Sequence, residues 1–108
     1  MASSGRSRPT SGAVRSVVVV EEVPGGTQSI YEEVGARVMP EGQLPEGCVV
    51  HIAGPMDGGW RVITVWDTEE QYQQFTNEKL IPALQEVAGE EGEPPKIEAN
   101  PVHTHITA

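Results

Sequence analysis

The chain has 108 residues, which is room for one domain and not comfortably for two. Its formal charge is −9, of which residues 1–15 contribute +3 through Arg6, Arg8 and Arg15, leaving −12 for the remainder. A surface that acidic repels phosphate, which argues against nucleic acid and anionic membrane as partners, and no run approaches the roughly 18 apolar residues of a membrane span.

Residues 1–15 are rich in Ser, Gly, Arg and Pro and hold almost no large apolar side chains. They cannot bury enough surface to offset their ordering entropy, so a disordered basic arm is expected there, ahead of a single domain over 16–108. The arm lacks both the amphipathic face of a transit peptide and the continuous apolar core of a signal peptide. One cysteine, Cys48, forms no internal disulfide and suits a reducing compartment, so a cytoplasmic location is expected.

Ser16 to Val23 contains four consecutive valines, β-branched and stiff at χ1, and predicts a strand buried on both faces. Pro24-Gly25-Gly26 ends it. Ile30, Tyr31, Val34 and Val38 then recur at helical spacing, with Glu32, Glu33 and Arg37 facing away and Thr27 placed as the N-cap. After a loop marked by Pro40, Gly42, Pro45 and Gly47, Cys48 to Ala53 reads as a strand whose alternation puts Val49, His51 and Ala53 on one face. Gly54 to Gly59 is the turn of a hairpin, and Trp60 to Trp66 is its second strand. Thr68 with Gln71 makes a capping box for a second helix, whose apolar stripe is Tyr72, Phe75, Leu80, Leu84 and Val87. Pro82 removes a backbone donor and predicts a kink or restart near Leu80. An acidic loop from Gly89 to Pro95 leads to a last extended run, Lys96 to Ile106, which Pro101 marks as an edge strand or a bulge.

The order β-α-β-β-α-β is the split βαβ, ferredoxin-like pattern: an α+β domain with a four-stranded antiparallel sheet and both helices on one face. The other face is apolar as well, through the valine run and through Ile63 and Val65. Sheet-on-sheet packing in a two-fold homodimer would cover it.

With this element order, the chain resembles the dimeric α/β-barrel superfamily, close to its antibiotic-biosynthesis-monooxygenase-like and stress-responsive barrel families, over roughly residues 16–106. The resemblance rests on Trp66-Asp67-Thr68-Glu69-Glu70, similar to the family's Trp-then-acidic helix start, and on Phe75 and Leu80. Small actinobacterial members offer a tighter match. They share Tyr31, the Pro45, Gly47 and His51 spacing, the Gly54 to Arg61 turn, and the terminal Pro101-Val102-His103. The superfamily hosts monooxygenases, haem-degrading enzymes, polyketide cyclases, isomerases and proteins without a known reaction, so the resemblance names no single reaction. Haem fits poorly, because the haem-degrading relatives need an axial histidine on the second helix, where this chain has Phe75, Thr76 and Asn77.

His51 is the first candidate for catalysis. An ionisable ring in an apolar strand needs a partner, and it serves either as acid/base or as a core histidine bonded to a carbonyl. Tyr31 and Tyr72 each bring a phenol able to polarise an oxygen or to stabilise an enolate. Trp60, Thr64 and Trp66 share one face of the third strand, and with Phe75, Tyr31 and Tyr72 they bring all five aromatics toward one concavity suited to a planar apolar ligand. The same residues also serve as plain core. His103 is placed at the edge of that pocket. His103, His105 and His51 make a poor metal set, Cys48 has no basic neighbour, and the glycine pairs lack phosphate-loop spacing. These readings combine into an enzyme of small-molecule metabolism that acts on an aromatic or polyketide-like substrate by His-assisted acid/base chemistry without bound cofactor, as a monooxygenase or a cyclase/isomerase. The alternative is a non-catalytic ligand-binding or structural dimer module.

Overall fold

The valine run organises the sheet. In the computed structural model, which describes residues 16–89 and 94–108, these valines open β1 (Val17–Pro24). The chain continues through α1 (Gln28–Val38), β2 (Cys48–Met56), β3 (Gly59–Trp66), α2 (Glu69–Phe75), α3 (Ile81–Ala88) and β4 (Lys96–Pro101). The four strands form one antiparallel sheet in the order β2-β3-β1-β4, the ferredoxin-like α+β arrangement expected from the sequence. The basic arm (1–15) and Glu90, Glu91, Gly92 and Glu93 of the acidic loop lie outside the described residues. Among the described residues no helix is long and apolar enough to cross a membrane.

The ladder register assigns every strand residue to a face. Val17, Val19 and Glu21 of β1 lie under the helices with Trp60, Val62, Thr64 and Trp66 of β3. The opposite face carries Val18, Val20, Val50, Ile52, Ile63 and Val65 in two cross-strand rows. In the single chain, therefore, β1 is buried on one face only, with Val18 and Val20 half-buried and Ile52 59% exposed on the other.

Three local features differ from expectation. The hairpin turn is tighter, because both strands extend into the glycine-rich segment and leave Asp57 and Gly58 between Met56 and Gly59. A β-bulge lies between Cys48 and Val50. It turns Val49 out to solvent and brings Cys48, three residues from His51, onto the helix-side face; regular alternation would have placed it opposite. The second helical segment does not break before Pro82. A π-helical turn over Thr76–Leu80 joins α2 to α3, the Ile81 N–H bonding the Thr76 carbonyl. The wider turn absorbs the register change next to a residue with no N–H of its own. The last strand stops at Pro101, and the chain after it is exposed apart from the half-buried Val102, whose N–H bonds the Ser16 carbonyl at 2.9 Å.

Two apolar clusters form the core. One joins sheet to α2 through Val17, Val19, Cys48, Trp66 and Tyr72. The other joins α1 to α3 through Val34, Val38 and Ala83, with Ile30, Leu80 and Leu84 around them. Phe75 packs against both, so its ring ties the helical layer to the sheet.

Candidate active site

Helix α1 brings the first candidate group together. Thr27 caps it, its Oγ1 accepting from the Ile30 N–H at 3.2 Å. Burial of Val34 and Val38 then fixes the rotation of the helix and turns Tyr31 toward the sheet. There the Tyr31 hydroxyl lies 2.7 Å from Nε2 of His51, in a hydrogen bond whose direction follows the imidazole tautomer. The Tyr31 ring also packs on Trp60, with centroids 5.3 Å apart, and stands 5.9 Å from the His51 ring. All three side chains are half-buried. Burial pushes the His51 pKa below its usual 6.5 and raises that of the Tyr31 phenol, so at neutral pH both partners are uncharged. Across the ladder His51 stands opposite Thr64.

A second group lies further along the same face. The Tyr72 hydroxyl donates to Oε2 of Glu21 at 2.8 Å, and both residues are buried. Burial raises the Glu21 pKa above the usual carboxyl value, while the Tyr72 bond opposes that rise. Burial and the Glu21 carboxylate together push the Tyr72 phenol well up. Trp66 packs edge-on to Tyr72 at 5.7 Å and against Phe75 at 5.3 Å. Its indole Nε1 donates to Oγ1 of Thr64 at 2.8 Å.

The expected single concavity is thus two clusters. Trp60 and Trp66 share a face of β3 but stand six residues apart, roughly 20 Å at the usual strand rise. Tyr31, His51 and Trp60 form one cluster, Trp66, Tyr72 and Phe75 the other, and Thr64 touches the second while facing His51. His103 joins neither. It is exposed and follows β4, at the sheet edge opposite the one formed by β2. Among the described residues no group of three His, Cys, Asp or Glu is arranged to hold a metal ion.

Glu21 was missed in the sequence. The signal was present, because Val17, Val19 and Glu21 alternate onto one face, but a glutamate at a strand end reads as solvated. Cys48 is buried, and burial raises its thiol pKa, as expected of an unreactive cysteine.

Glycines shape both ends of this face. Any Cβ on Gly26 would lie 2.9 Å from that of Trp60, so the loop after β1 packs directly against the base of the Trp60 side chain. Gly47 has φ +90° and lies where a Cβ would collide with the Gln71 carboxamide. Its carbonyl accepts from the Asp67 N–H at 2.7 Å, pinning the start of β2 to the start of α2.

No family model matches the sequence, and no curated protein matches it significantly. Solved structures do. A candidate antibiotic biosynthesis monooxygenase from Caulobacter crescentus superposes with a TM-score of 0.63 at 13% identity, covering 83% of this chain and 92% of that one. A second candidate of that kind, from Bordetella bronchiseptica, gives 0.57 at 14% identity over 80% and 95% of the two chains. SnoaB, a cofactor-independent oxygenase from Streptomyces nogalater, gives 0.54 at 17% identity over 88% and 97%. At these identities the likeness is one of fold, and the chain has the fold of the antibiotic-biosynthesis-monooxygenase-like proteins.

Proposed function

We propose that this protein is a small-molecule oxygenase that works without a bound cofactor, with Tyr31 and His51 as its proton-transfer pair. The observation that carries the reading is the 2.7 Å contact between the Tyr31 hydroxyl and Nε2 of His51, beside the face of Trp60. A neutral imidazole is the form that accepts a proton, and burial favours that form. The likeness to a cofactor-independent oxygenase supports the same reading.

The substrate class follows from the walls. Aromatic rings on a strand and a helix suit a planar, largely apolar molecule, and the acidic exterior disfavours an anionic one. An enolisable aromatic ketone of polyketide type meets both requirements. As its enol hydroxyl loses a proton to the Tyr31 oxygen, Tyr31 passes its own proton to Nε2 of His51, leaving an electron-rich enolate. The enolate carbon reduces dioxygen, so that one ring methylene and one dioxygen give one carbonyl and one water. Without dioxygen, the same proton transfer would serve a cyclase or isomerase.

The protein works as a homodimer in this reading. Val18, Val20, Val50, Ile52, Ile63 and Val65 form a continuous apolar block on the face away from the helices. The exposed Arg61–Glu22 pair, 3.4 Å apart, lies at its border. A second sheet packed about 10 Å away would bury that block. Light scattering should give twice the chain mass, and Ile63→Asp should give monomer.

The functional test is oxygen uptake by the full chain with a dihydroxyanthrone in air. Uptake matched by anthraquinone formation, above the rate in buffer, is expected. A rate equal to that in buffer, in protein shown to be folded and dimeric, would remove the oxygenase reading.

A further inference from the structure

We propose that the Trp60 indole N–H is the hydrogen-bond donor that holds the substrate's enolate oxygen, an inference that rests on reading Tyr31 and His51 as the proton-transfer pair. The two tryptophans lie on the same strand face, and their indole N–H groups differ in what they meet. Trp66 Nε1 donates to Thr64 Oγ1 at 2.8 Å, whereas Trp60 Nε1 is buried and has no hydrogen-bond partner among the described residues.

An unpaired buried donor is uncommon, because the group has given up its water for nothing in return. The neighbours of Trp60 explain why no acceptor meets it. Its ladder partners are Val23 and Pro55, whose side chains have no polar atom, and Gly26 packs against its Cβ. Its ring faces Tyr31, whose hydroxyl is engaged with His51. The cluster therefore contains an acceptor or base at His51, a hydroxyl at Tyr31 and, at Trp60, a donor with no acceptor among the described residues.

That set is complementary to one kind of occupant: a planar molecule with an oxygen that becomes negative in the reaction. When the enol O–H bond breaks, its proton goes to Tyr31 and onward to His51, and the electron pair stays on the substrate oxygen. The reprotonated Tyr31 hydroxyl donates to that oxygen from one side, and Trp60 Nε1–H donates from another. A donor that is already desolvated and fixed by packing stabilises the developing charge without reorganising, and no bulk water competes for it. The ligand class is thus narrowed to enolisable aromatic ketones and their phenolic tautomers, in preference to hydrocarbons of the same shape.

Trp60→Phe removes the N–H and keeps an aromatic ring. Its turnover of a dihydroxyanthrone should fall on the order of 100-fold, as when one oxyanion donor is removed, with the melting temperature unchanged or higher. A direct readout uses the protein labelled for N–H correlation spectroscopy, where the two indole signals are assigned by the one missing in the variant. Dihydroxyanthraquinone, a non-reacting probe with carbonyl and hydroxyl oxygens, should move the Trp60 signal downfield and leave the Thr64-bonded Trp66 signal in place. If the variant does not fold, the two signals are assigned in the parent by their through-space contacts, Trp60 to the Tyr31 ring and Trp66 to the Phe75 ring, and the spectrum then decides the matter alone. If the His51 ring signals respond to the probe while Trp60 does not move, or if Trp60→Phe turns over like the parent, the donor role is wrong and the function reading stands. A lowered melting temperature with turnover intact would likewise overturn the donor role, by showing a structural partner for the N–H. If the unmodified protein neither binds the probe nor consumes oxygen, the function reading fails and this inference with it.

Discussion

Two tyrosines descend from the helical layer onto one face of one sheet, and each ends in a hydrogen bond to an ionisable side chain. Tyr31 reaches His51 and Tyr72 reaches Glu21. The first pair is half-buried, uncharged at neutral pH, and next to an indole N–H without a partner among the described residues. The second is enclosed, and its aromatic neighbour Trp66 is already satisfied by Thr64. A buried carboxyl held by a phenol is expensive to disturb and poorly placed to meet a ligand. A half-open imidazole that burial keeps neutral is cheap to disturb and is in the form that accepts a proton. The comparison separates a pair that supports the fold from a pair suited to chemistry, although both look alike as Tyr-plus-ionisable motifs.

Substitutions can break that contrast. His51→Ala should reduce turnover of a dihydroxyanthrone by about 10²–10⁴-fold, the usual range for a general base. Because the ring is only half-buried and bonded to a neutral partner, the accompanying loss of stability should stay near 1 kcal/mol, about the size of one hydrogen bond. Tyr72→Phe should do the reverse. It strands a buried carboxyl oxygen and should cost about 2 kcal/mol in urea unfolding, with turnover per folded molecule little changed. Tyr31→Phe should lower turnover about tenfold, since the relay loses its middle oxygen while His51 remains.

The smallest effect is the dependence on pH, and here the two pairs should slope in opposite directions. The unfolded chain protonates His51 near 6.5 and the folded chain only below that, so in this window the unfolded state binds more protons. Stability from His51 therefore rises with pH and levels off above 6.5. Turnover should rise through the same window, as the neutral base appears. Folded Glu21 keeps its proton above 4.5, where the unfolded chain has lost it, so its contribution falls as pH rises from 4.5 through the folded value. Denaturant melts of Glu21→Gln across pH should lack that falling limb and keep the His51 limb.

Much of the fold was legible because local chemistry dictated it. Thr27 and Thr68 cap helices as their positions required, Tyr31, Val34 and Val38 line one helix face, and the valine run pairs at the centre of the sheet. The Tyr31–His51 pair was legible only as two separate candidates, since their contact depends on where α1 crosses β2 and β3. The distance between Trp60 and Trp66 could have been read from strand rise, and it divides the aromatics that shared alternation suggested as one group into two clusters. The bulge before Val50 could not be read, because no glycine or proline marks it. Pro82 signalled a fault in the second helix, but whether a helix kinks or widens into a π turn depends on packing around it, here Leu80 and Leu84 against the cluster of Val34, Val38 and Ala83.

The measurement closest to the central claim is turnover per folded molecule for His51→Ala and Tyr72→Phe, assayed side by side with a dihydroxyanthrone. His51→Ala should fall by about 100-fold or more while Tyr72→Phe keeps most of the parent rate. Equal rates for His51→Ala and the parent, or loss confined to Tyr72→Phe, would place the chemistry at the Glu21 pair or nowhere on this face.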